Sequence, residues 1–189
     1  MIEVKNVEKS FGDSKVLKGI STIFDTGKTN LIIGQSGSGK TVLLKSLLGI
    51  HTPDKGTISF DGRIYSNLTP DEKRALRTEI GMVFQGSALF DSMTVEENVG
   101  FPLKMFTTKT AAEIKERVDF VIDRVDLKQA HHKKPSELSG GMQKRVAIAR
   151  AIVNNPKYLF CDEPNSGLDP KTAIIIDNLI HEITVEYNI

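Results

Sequence analysis

The chain has 189 residues, of which 39% are hydrophobic and 26% are charged, so it can bury the core of a single compact domain and is unlike disordered or collagen-like chains. Its 25 basic and 24 acidic side chains give a net charge of +1, which leaves no overall positive field to attract nucleic acid. The single cysteine, Cys161, cannot form a disulfide within the chain. The sequence has no signal-peptide region, and no apolar run approaches the roughly 18–20 residues that a membrane-spanning helix needs. We therefore expect neither a secreted nor an integral membrane protein.

The first elements along the chain are predicted to be antiparallel strands. Ile2 and Val4 alternate with polar or charged neighbours, and residues 20–24 form a second candidate strand. A hairpin follows, because residues 57–60 and 63–65 flank Asp61-Gly62, a pair that tolerates the positive φ angles of a type I′ turn. We therefore expect residues 1–30 and 56–66 to form an antiparallel β region.

Two apolar runs, residues 31–33 and 158–161, predict strands buried in a parallel sheet. Helical spacing of apolar residues follows the first run, at Val42, Leu43, Leu44, Leu47 and Leu48. The same spacing recurs between the runs, at Ile114, Val118, Val121, Ile122 and Val125, and again near 172–186, at Ile176, Leu179, Ile180 and Ile183. Together the patterns predict a parallel α/β core, residues 31–50 and 156–189, with a mostly helical insertion over about 88–154.

A glycine-rich segment after the first apolar run matches the phosphate-loop pattern G-x-x-x-x-G-K-[ST] at every position. Its residues are Gly34, Gln35, Ser36, Gly37, Ser38, Gly39, Lys40 and Thr41. Glycines permit the backbone angles that turn amide N–H groups inward, and the N-terminus of the next helix adds partial positive charge. We expect Lys40 to reach the β- and γ-phosphates of a nucleotide and the Thr41 hydroxyl to bind Mg²⁺.

An acidic pair, Asp162-Glu163, directly follows the second apolar run. Adjacent residues of an extended strand point to opposite faces, so the two carboxylates are predicted to do different work. Asp162 would hold Mg²⁺ through water, and Glu163 would orient and deprotonate the attacking water. By itself such a pair is also typical of solvated strand ends, so the prediction depends on the phosphate loop.

At Leu138-Ser139-Gly140-Gly141-Met142 the chain resembles the ATP-binding cassette (ABC) ATPases, and the resemblance extends over the whole sequence. A serine and two glycines that open a helix offer a hydroxyl, free amides and a positive dipole end to an anion. The resemblance implies a P-loop NTPase fold of the α/β class, with a RecA-like parallel core, an N-terminal antiparallel β subdomain and an inserted helical signature subdomain. It also implies that Ser139, Gly140 and Gly141 bind the γ-phosphate of an ATP held by a second cassette.

Further positions take the roles that this resemblance implies. Phe11 lies where the family places an aromatic ring on adenine, and Gln85 resembles the glutamine of the Q-loop, which approaches Mg²⁺ and links the core to the helical subdomain. Asp169 ends a segment resembling the D-loop, which crosses the dimer interface, although Asn165 stands there in place of the usual threonine. Lys144, just after the signature, is predicted to lie on a solvated helix face, and Arg150 less strongly so.

Residues 84–103, from Phe84-Gln85 to Pro102-Leu103, and Met142 give a narrower resemblance to ABC ATPases that serve phospholipid and sterol transport with mammalian-cell-entry (MCE) proteins. It implies an ATPase that binds ATP and Mg²⁺ on the cytoplasmic face of the bacterial inner membrane. The resemblance favours a homodimer, and the sequence leaves open whether the second cassette is identical. Its partners would be a transmembrane permease and an MCE-domain protein, and not nucleic acid. Leu89, Phe90 and Phe101 could line the groove for the permease, although helix packing explains them equally well.

The resemblance also implies one further strand that ends in a histidine contacting the γ-phosphate. The chain ends at Ile189 before such a strand, so we expect a piece of a longer polypeptide. Two other interpretations stay open: a soluble, non-transport ABC ATPase that acts as a nucleotide-dependent clamp, and a fragment that binds nucleotide but hydrolyses it poorly. A GTPase is disfavoured because the sequence has no Asn-Lys-x-Asp motif.

Overall fold

The computed structural model describes residues 1–189, which divide into two compact units, residues 1–77 and residues 78–189. No helix in either unit is long and apolar enough to cross a membrane. The first unit contains an antiparallel sheet, and the second contains a small parallel sheet with four helices. The α/β class and both predicted sheet types are therefore confirmed.

The first unit is built on a four-stranded antiparallel sheet with the strand order β2-β1-β3-β4. Its strands are β1 (Ile2–Phe11), β2 (Ser14–Phe24), β3 (Lys55–Phe60) and β4 (Arg63–Ile64). Ile2, the first residue of β1, pairs with Phe24 on one side and with Phe60 on the other. The predicted turn joins β3 to β4, with φ angles of 47° at Asp61 and 79° at Gly62, as a type I′ turn requires.

Two helices complete the first unit, α1 (Lys40–Leu47) and α2 (Pro70–Thr78), the latter ending on the first residue of the second unit. Helix α1 buries Leu43, Leu44 and Leu47, as the apolar spacing predicts. Strand β1 contributes further buried apolar residues: Ile2, Val4 and Val7 are each at most 6% exposed. The unit thus has a core of its own.

The predicted strand at residues 31–33 is absent. These residues have no regular secondary structure, and Leu31 and Ile33 are 81% and 82% exposed. A strand exists only where a neighbour supplies backbone partners, and neither sheet of the structure includes this segment. Residues 31–33 are apolar, but no strand of the structure pairs with them.

The second unit pairs two short parallel strands, β5 (Ile80–Val83) and β6 (Tyr158–Cys161), from Ile80 opposite Tyr158 to Val83 opposite Cys161. Around them lie α3 (Val95–Phe106), α4 (Ala111–Arg124), α5 (Gly140–Ile152) and α6 (Pro170–Glu186). The predicted apolar stripes are buried, since Val121, Ile122, Ile176 and Ile183 are all inaccessible to solvent. One continuous apolar cluster therefore holds these elements together.

Side-chain caps determine where the helices of the second unit begin. Thr94 and Thr110 each form a capping box with the glutamate three residues later, Glu97 and Glu113, which satisfies otherwise unpaired amides of the first turn. Hydrogen bonds from Thr94 and Thr110 lower the pKa values of these two carboxyl groups. Both boxes have the sequence Thr-x-x-Glu, a signal that can be detected from the sequence alone.

Candidate functional site

The glycine-rich loop of the first unit leads directly into helix α1. Gly37 and Gly39 have φ angles of 77° and 96°, a region that side chains disfavour. A Cβ atom at Gly39 would also lie 3.1 Å from side-chain carbons of both Val16 and Leu17. Glycine is therefore required at position 39 both for its backbone angle and for the close approach of β2.

This loop has the chemistry of an anion cradle. Gly39 caps α1 without a side-chain hydrogen bond, and the first amide bonded back along the helix is that of Leu43, 2.8 Å from the Gly39 oxygen. The amides of Lys40, Thr41 and Val42 thus point out of the helix end, as first-turn amides do. A Cβ at Gly34 would lie 2.7 Å from the Ser38 hydroxyl oxygen, so the space inside the loop depends on that glycine.

Lys40 is folded back onto the loop that precedes it. Its ammonium nitrogen donates to the carbonyl oxygens of Gly34 at 2.7 Å and Gln35 at 3.0 Å. These two bonds hold the positive charge over the cradle, where phosphate oxygens could replace the carbonyls as acceptors. The structure thus brings the predicted phosphate-binding residues 34–41 together in one local arrangement.

Phe11, the predicted adenine platform, ends β1 with its ring 44% exposed. The ring is fixed at its edge by His51, whose centroid lies 5.2 Å away in a T-shaped arrangement, and Lys9 lies 5.5 Å from its centre. Asp54 in turn holds Lys9 through an ion pair of 2.8 Å. A partly exposed, well-supported aromatic face is suited to stacking on a base.

The acidic pair of the second unit follows β6. The Asp162 amide continues the ladder by donating to Val83 at 2.9 Å. Glu163, however, has a φ of 46°, so it is not extended, and the prediction that the two carboxylates diverge by strand alternation is wrong. A left-handed turn at the strand end directs Glu163, and such strained non-glycine positions are often found at functional sites.

Gln85 and Glu163 contact each other although 78 residues separate them along the chain. The Gln85 side-chain amide donates to a Glu163 carboxylate oxygen at 2.8 Å. Both residues follow paired strands, Gln85 after β5 and Glu163 after β6, and parallel neighbours present their carboxyl ends at one edge. The predicted Q-loop glutamine and the predicted general base therefore form one group.

The predicted Mg²⁺ ligands are a hydroxyl (Thr41), an amide (Gln85) and a carboxylate (Asp162). Oxygen donors with few carboxylates fit this ion, which retains several waters and takes phosphate oxygens as further ligands. No group of three or more His, Cys, Asp or Glu side chains in the structure could hold a metal ion by itself. Thr41 lies in the first unit and Gln85 and Asp162 lie in the second, so their joint binding of Mg²⁺ stays a prediction.

Ser139 caps helix α5, and its hydroxyl oxygen accepts a hydrogen bond from the Met142 amide at 3.3 Å. Gly140 and Gly141 form the first turn of that helix. A Cβ at Gly141 would lie 2.7 Å from the Thr172 side chain, so the second glycine lets the start of α6 approach. Ser139, Gly140 and Gly141 are brought together as predicted, and their binding to a second molecule's nucleotide stays a prediction.

Asp169, predicted to act at a dimer interface, is the N-cap of α6. One of its carboxylate oxygens accepts from the amides of Lys171 and Thr172, both at 3.1 Å. Hydrogen bonding to Thr172 lowers the pKa of this carboxyl group, because the bonds favour its charged form. Asp169 therefore stabilises the start of α6. Its role at a dimer interface stays a prediction.

The sequence interpretation was wrong about Lys144, which is only 5% exposed. Its ammonium group donates to the Gln85 carbonyl, and burial lowers its pKa. Lys144 precedes the buried residues Ile148 and Ala151 by four and seven positions, which places it on the apolar face of α5. This spacing was the available signal, but a lysine in such a stripe is usually solvated.

The sequence did not indicate the roles of two further residues, Arg150 and Asn98. Arg150 donates to the carbonyls of Ser87 and Ala88, both at 2.8 Å. Asn98 is fully buried and bonds the backbone of Phe90 through both its oxygen and its nitrogen. Both residues hold the segment after Gln85, and only the fold brings them to it.

Of the three residues expected at a permease groove, Phe90 is 40% exposed, while Leu89 and Phe101 are partly buried. The rings of Phe90 and Phe101 pack with centroids 4.7 Å apart. Packing of the Phe90 ring on Phe101 thus accounts for part of this surface, and Phe84, six residues before Phe90, is 43% exposed.

A family model described as "ABC transporter" matches residues 17–166. The chain is 40% identical over 185 residues to "Probable ribonucleotide transport ATP-binding protein mkl" of Mycobacterium leprae, covering 98% of this chain and 53% of that protein. It is 41% identical over 193 residues to "Methionine import ATP-binding protein MetN 3" of Shouchella clausii, covering 100% of this chain and 56% of the relative. It is also 41% identical over 191 residues to "Protein TRIGALACTOSYLDIACYLGLYCEROL 3, chloroplastic" of Arabidopsis thaliana, covering 97% and 55%. The chain thus spans about half the length of these relatives.

Solved structures give the same likeness. The "Dimeric Structure of MJ0796, a Bacterial ABC Transporter Cassette" superposes with a TM-score of 0.88 at 34% identity, over 100% of this chain and 84% of the other. A second structure of that cassette, described as dimeric and post-hydrolysis with bound ADP and Pi, has a TM-score of 0.86 with the same identity and coverage. The sequence comparisons and the structure comparisons therefore both relate the chain to ABC transporter cassettes.

Proposed function

Because the chain belongs to the ABC transporter family, we propose that it binds and hydrolyses ATP as the nucleotide-binding subunit of a membrane transporter. The observation that carries hydrolysis is the 2.8 Å hydrogen bond from Gln85 to Glu163. It joins a carboxylate, which can accept a proton, to an amide that can orient water. The phosphate loop supplies the binding half of the function.

In the proposed reaction, Lys40 exchanges its two carbonyl acceptors for β- and γ-phosphate oxygens, and the outward amides at the start of α1 surround the same group. Thr41, Asp162 and Gln85 are the residues that would hold Mg²⁺, which supplies charge neutralisation to the phosphates when bound. Glu163 accepts a proton from water as the water oxygen attacks the γ-phosphorus. The bond to the ADP oxygen breaks in line with that attack.

The proposal includes a second copy of the chain. Ser139 and the two glycines after it would cap the γ-phosphate held by the partner's loop, so two nucleotides would lie between two cassettes. The helix dipole and the first-turn amides of α5 suit an anion. ATP would close the dimer, and release of phosphate would reopen it.

We propose a lipid as the transported substrate, with a membrane permease as the docking partner at the cytoplasmic face. Support comes from the resemblance of residues 84–103 and Met142 to the MCE-associated group, and from a relative named for trigalactosyldiacylglycerol. Relatives named for ribonucleotide and methionine transport make a small solute the competing substrate class. Purification from solubilised membranes tests this: a co-purifying permease with bound phospholipid supports it, whereas a soluble partner alone favours the nucleotide-dependent clamp.

The general base is tested by Glu163→Gln in the full-length protein. This change keeps the shape and the hydrogen bond to Gln85 but removes the proton acceptor. ATP turnover should fall about 10²–10⁴-fold, the range for a missing general base, while the dissociation constant for MgATP stays within about twofold because the phosphate loop is intact. Unchanged turnover would remove Glu163 from the role.

A further inference from the structure

Two cationic side chains of helix α5 hold the backbone of the segment that carries Gln85. The buried Lys144 donates to the Gln85 carbonyl. Six residues further along the helix, Arg150 donates through its two terminal nitrogens to Ser87 and Ala88, each at 2.8 Å. Three of the four carbonyls between positions 85 and 88 are thus bonded by one helix.

This segment needs external support. Ser87 and Ala88 have φ angles of 61° and 47°, and two consecutive non-glycine residues in the left-handed region persist only where surrounding contacts hold them. Asn98, from α3, fixes the far end through the amide and carbonyl of Phe90, at 2.8 and 3.1 Å. The segment 85–90 is therefore clamped between α5 and α3.

The hydrogen-bond partners of the two cations are carbonyl groups. Lys144 also interacts electrostatically with the Glu163 carboxylate, which partly offsets the lowering of its pKa by burial. Arg150 has no acidic partner: besides its two carbonyls it contacts the Phe90 ring, 5.9 Å from the guanidinium carbon. Taking a cation out of water is costly unless it is well bonded. Arg145 of the same helix differs because it has an acidic partner: it pairs with the exposed Asp126 at 3.0 Å, besides donating to the Val125 carbonyl at 3.1 Å. The arrangement of Lys144 and Arg150 thus serves the geometry of the loop.

We propose that Lys144 and Arg150 are positioning residues for ATP hydrolysis: by holding the backbone at 85–88 they keep the Gln85 amide on the Glu163 carboxylate. The proposal rests on the proposed function, in which Gln85 and Glu163 act on the attacking water. Ser139 is the N-cap of helix α5, so the proposed contact with the partner's nucleotide and the placement of Gln85 depend on the same helix. A shift of α5 on capping that nucleotide moves the loop with it.

The first test compares Lys144→Met and Arg150→Lys with wild type in the full-length protein. Methionine keeps an unbranched apolar side chain at the buried site, and lysine keeps the charge but cannot donate in two directions from a planar fork. We expect kcat to fall about tenfold or more, since small misplacements of catalytic groups have effects up to about 10²-fold. The MgATP dissociation constant should change less than about twofold. Lys128→Met, which removes an exposed cation of the same unit, should leave both unchanged.

The second test separates positioning from general structural support. In a Gln85→Ala background, adding Arg150→Lys should lower kcat no further, because the side chain being positioned is already gone. Arg150 suits this comparison because, unlike Lys144, it has no electrostatic interaction with Glu163. An additional loss as large as in the wild-type background overturns the proposal. If Arg150→Lys does not fold, Arg150→Met is used in the same comparison.

A third measurement needs no nucleotide. Amide hydrogen exchange at residues 86–90 should be faster in both variants than in wild type, while exchange in α4 is unaffected. Unchanged exchange together with wild-type kcat refutes the positioning role and leaves the proposed function intact. Full turnover in Glu163→Gln instead refutes the proposed function itself.

Discussion

At the scale of single residues, the backbone angle and the hydrogen bond of Glu163 show that its side chain is held in a defined position. It has a left-handed φ of 46° and accepts a hydrogen bond from a residue 78 positions away. Strain of this kind costs about 1–3 kcal/mol and persists only where neighbours over-determine it. In this arrangement Gln85 occupies one carboxylate oxygen, so a water that reaches Glu163 must share the carboxylate with the Gln85 amide.

Cys161, one residue before the acidic pair, gives a prediction at this scale. Desolvation raises the pKa of its thiol to about 12, so almost no thiolate, the nucleophilic form, exists at pH 8. We expect iodoacetamide to leave the folded protein unmodified over a time in which the urea-unfolded protein reacts fully. Because Cys161 is the only cysteine of this chain, mass spectrometry of the tryptic peptide that contains it measures the modified fraction directly. Equal labelling rates in the two states would contradict the prediction.

At the scale of elements, strand β5, which precedes Gln85, packs closely against helix α5. Gly81, in the middle of β5, is buried, and a Cβ there would collide with the carbonyl oxygen of Ala151 at the end of α5. Strand and helix backbones thus approach each other closely where the residue has no side chain. Ser139 caps this helix, and Lys144 and Arg150 lie within it. The packing of the helix on β5 therefore affects the positions of all three side chains.

Gly81→Ala should therefore destabilise the second unit. The added methyl group meets backbone, which cannot rotate away, and overpacking of this kind costs about 1–3 kcal/mol. Urea denaturation followed by circular dichroism measures the change in the free energy of unfolding. Gly86→Ala is the matched control for stability, because a Cβ at Gly86 meets nothing within 4 Å. An equal effect of the two substitutions would show that the close approach at Gly81 is not what matters.

At the scale of the whole molecule, the functional residues are divided between two compact units. Lys40 and the phosphate loop belong to residues 1–77, and Gln85, Ser139 and Glu163 belong to residues 78–189. Each unit has its own buried core. The proposed function requires both units and a second copy of the chain, so it can be tested by combining defective subunits.

Lys40→Met disables nucleotide binding by its own loop, and Ser139→Arg blocks the capping of a partner's nucleotide. Each homodimer should be inactive, because both of its composite sites lack one part. Mixing the two proteins should restore ATP turnover, since one site of each mixed dimer combines the intact loop of one subunit with the intact signature of the other. Steady-state phosphate release measures this, and a mixture as inactive as its components would exclude the head-to-tail arrangement.

The sequence by itself determined the features that depend on neighbours along the chain. Residues 34–41 form the loop that their spacing predicts, Asp61-Gly62 makes the predicted turn, and the Thr-x-x-Glu pattern begins α3 and α4. Each of these depends on backbone angles and hydrogen bonds within about four residues. Such local signals can be recognised without knowing which distant segments pack against them.

Only the tertiary structure decided which distant groups meet. It buried Lys144, which the sequence placed in solvent, and left Leu31 and Ile33 exposed, which the sequence placed in a sheet. It also joined Gln85 to Glu163 and Arg150 to residues 87–88. The physical reason is that strand pairing and the solvation of a cation are properties of partners brought from elsewhere in the chain, and local patterning does not specify which partners those are.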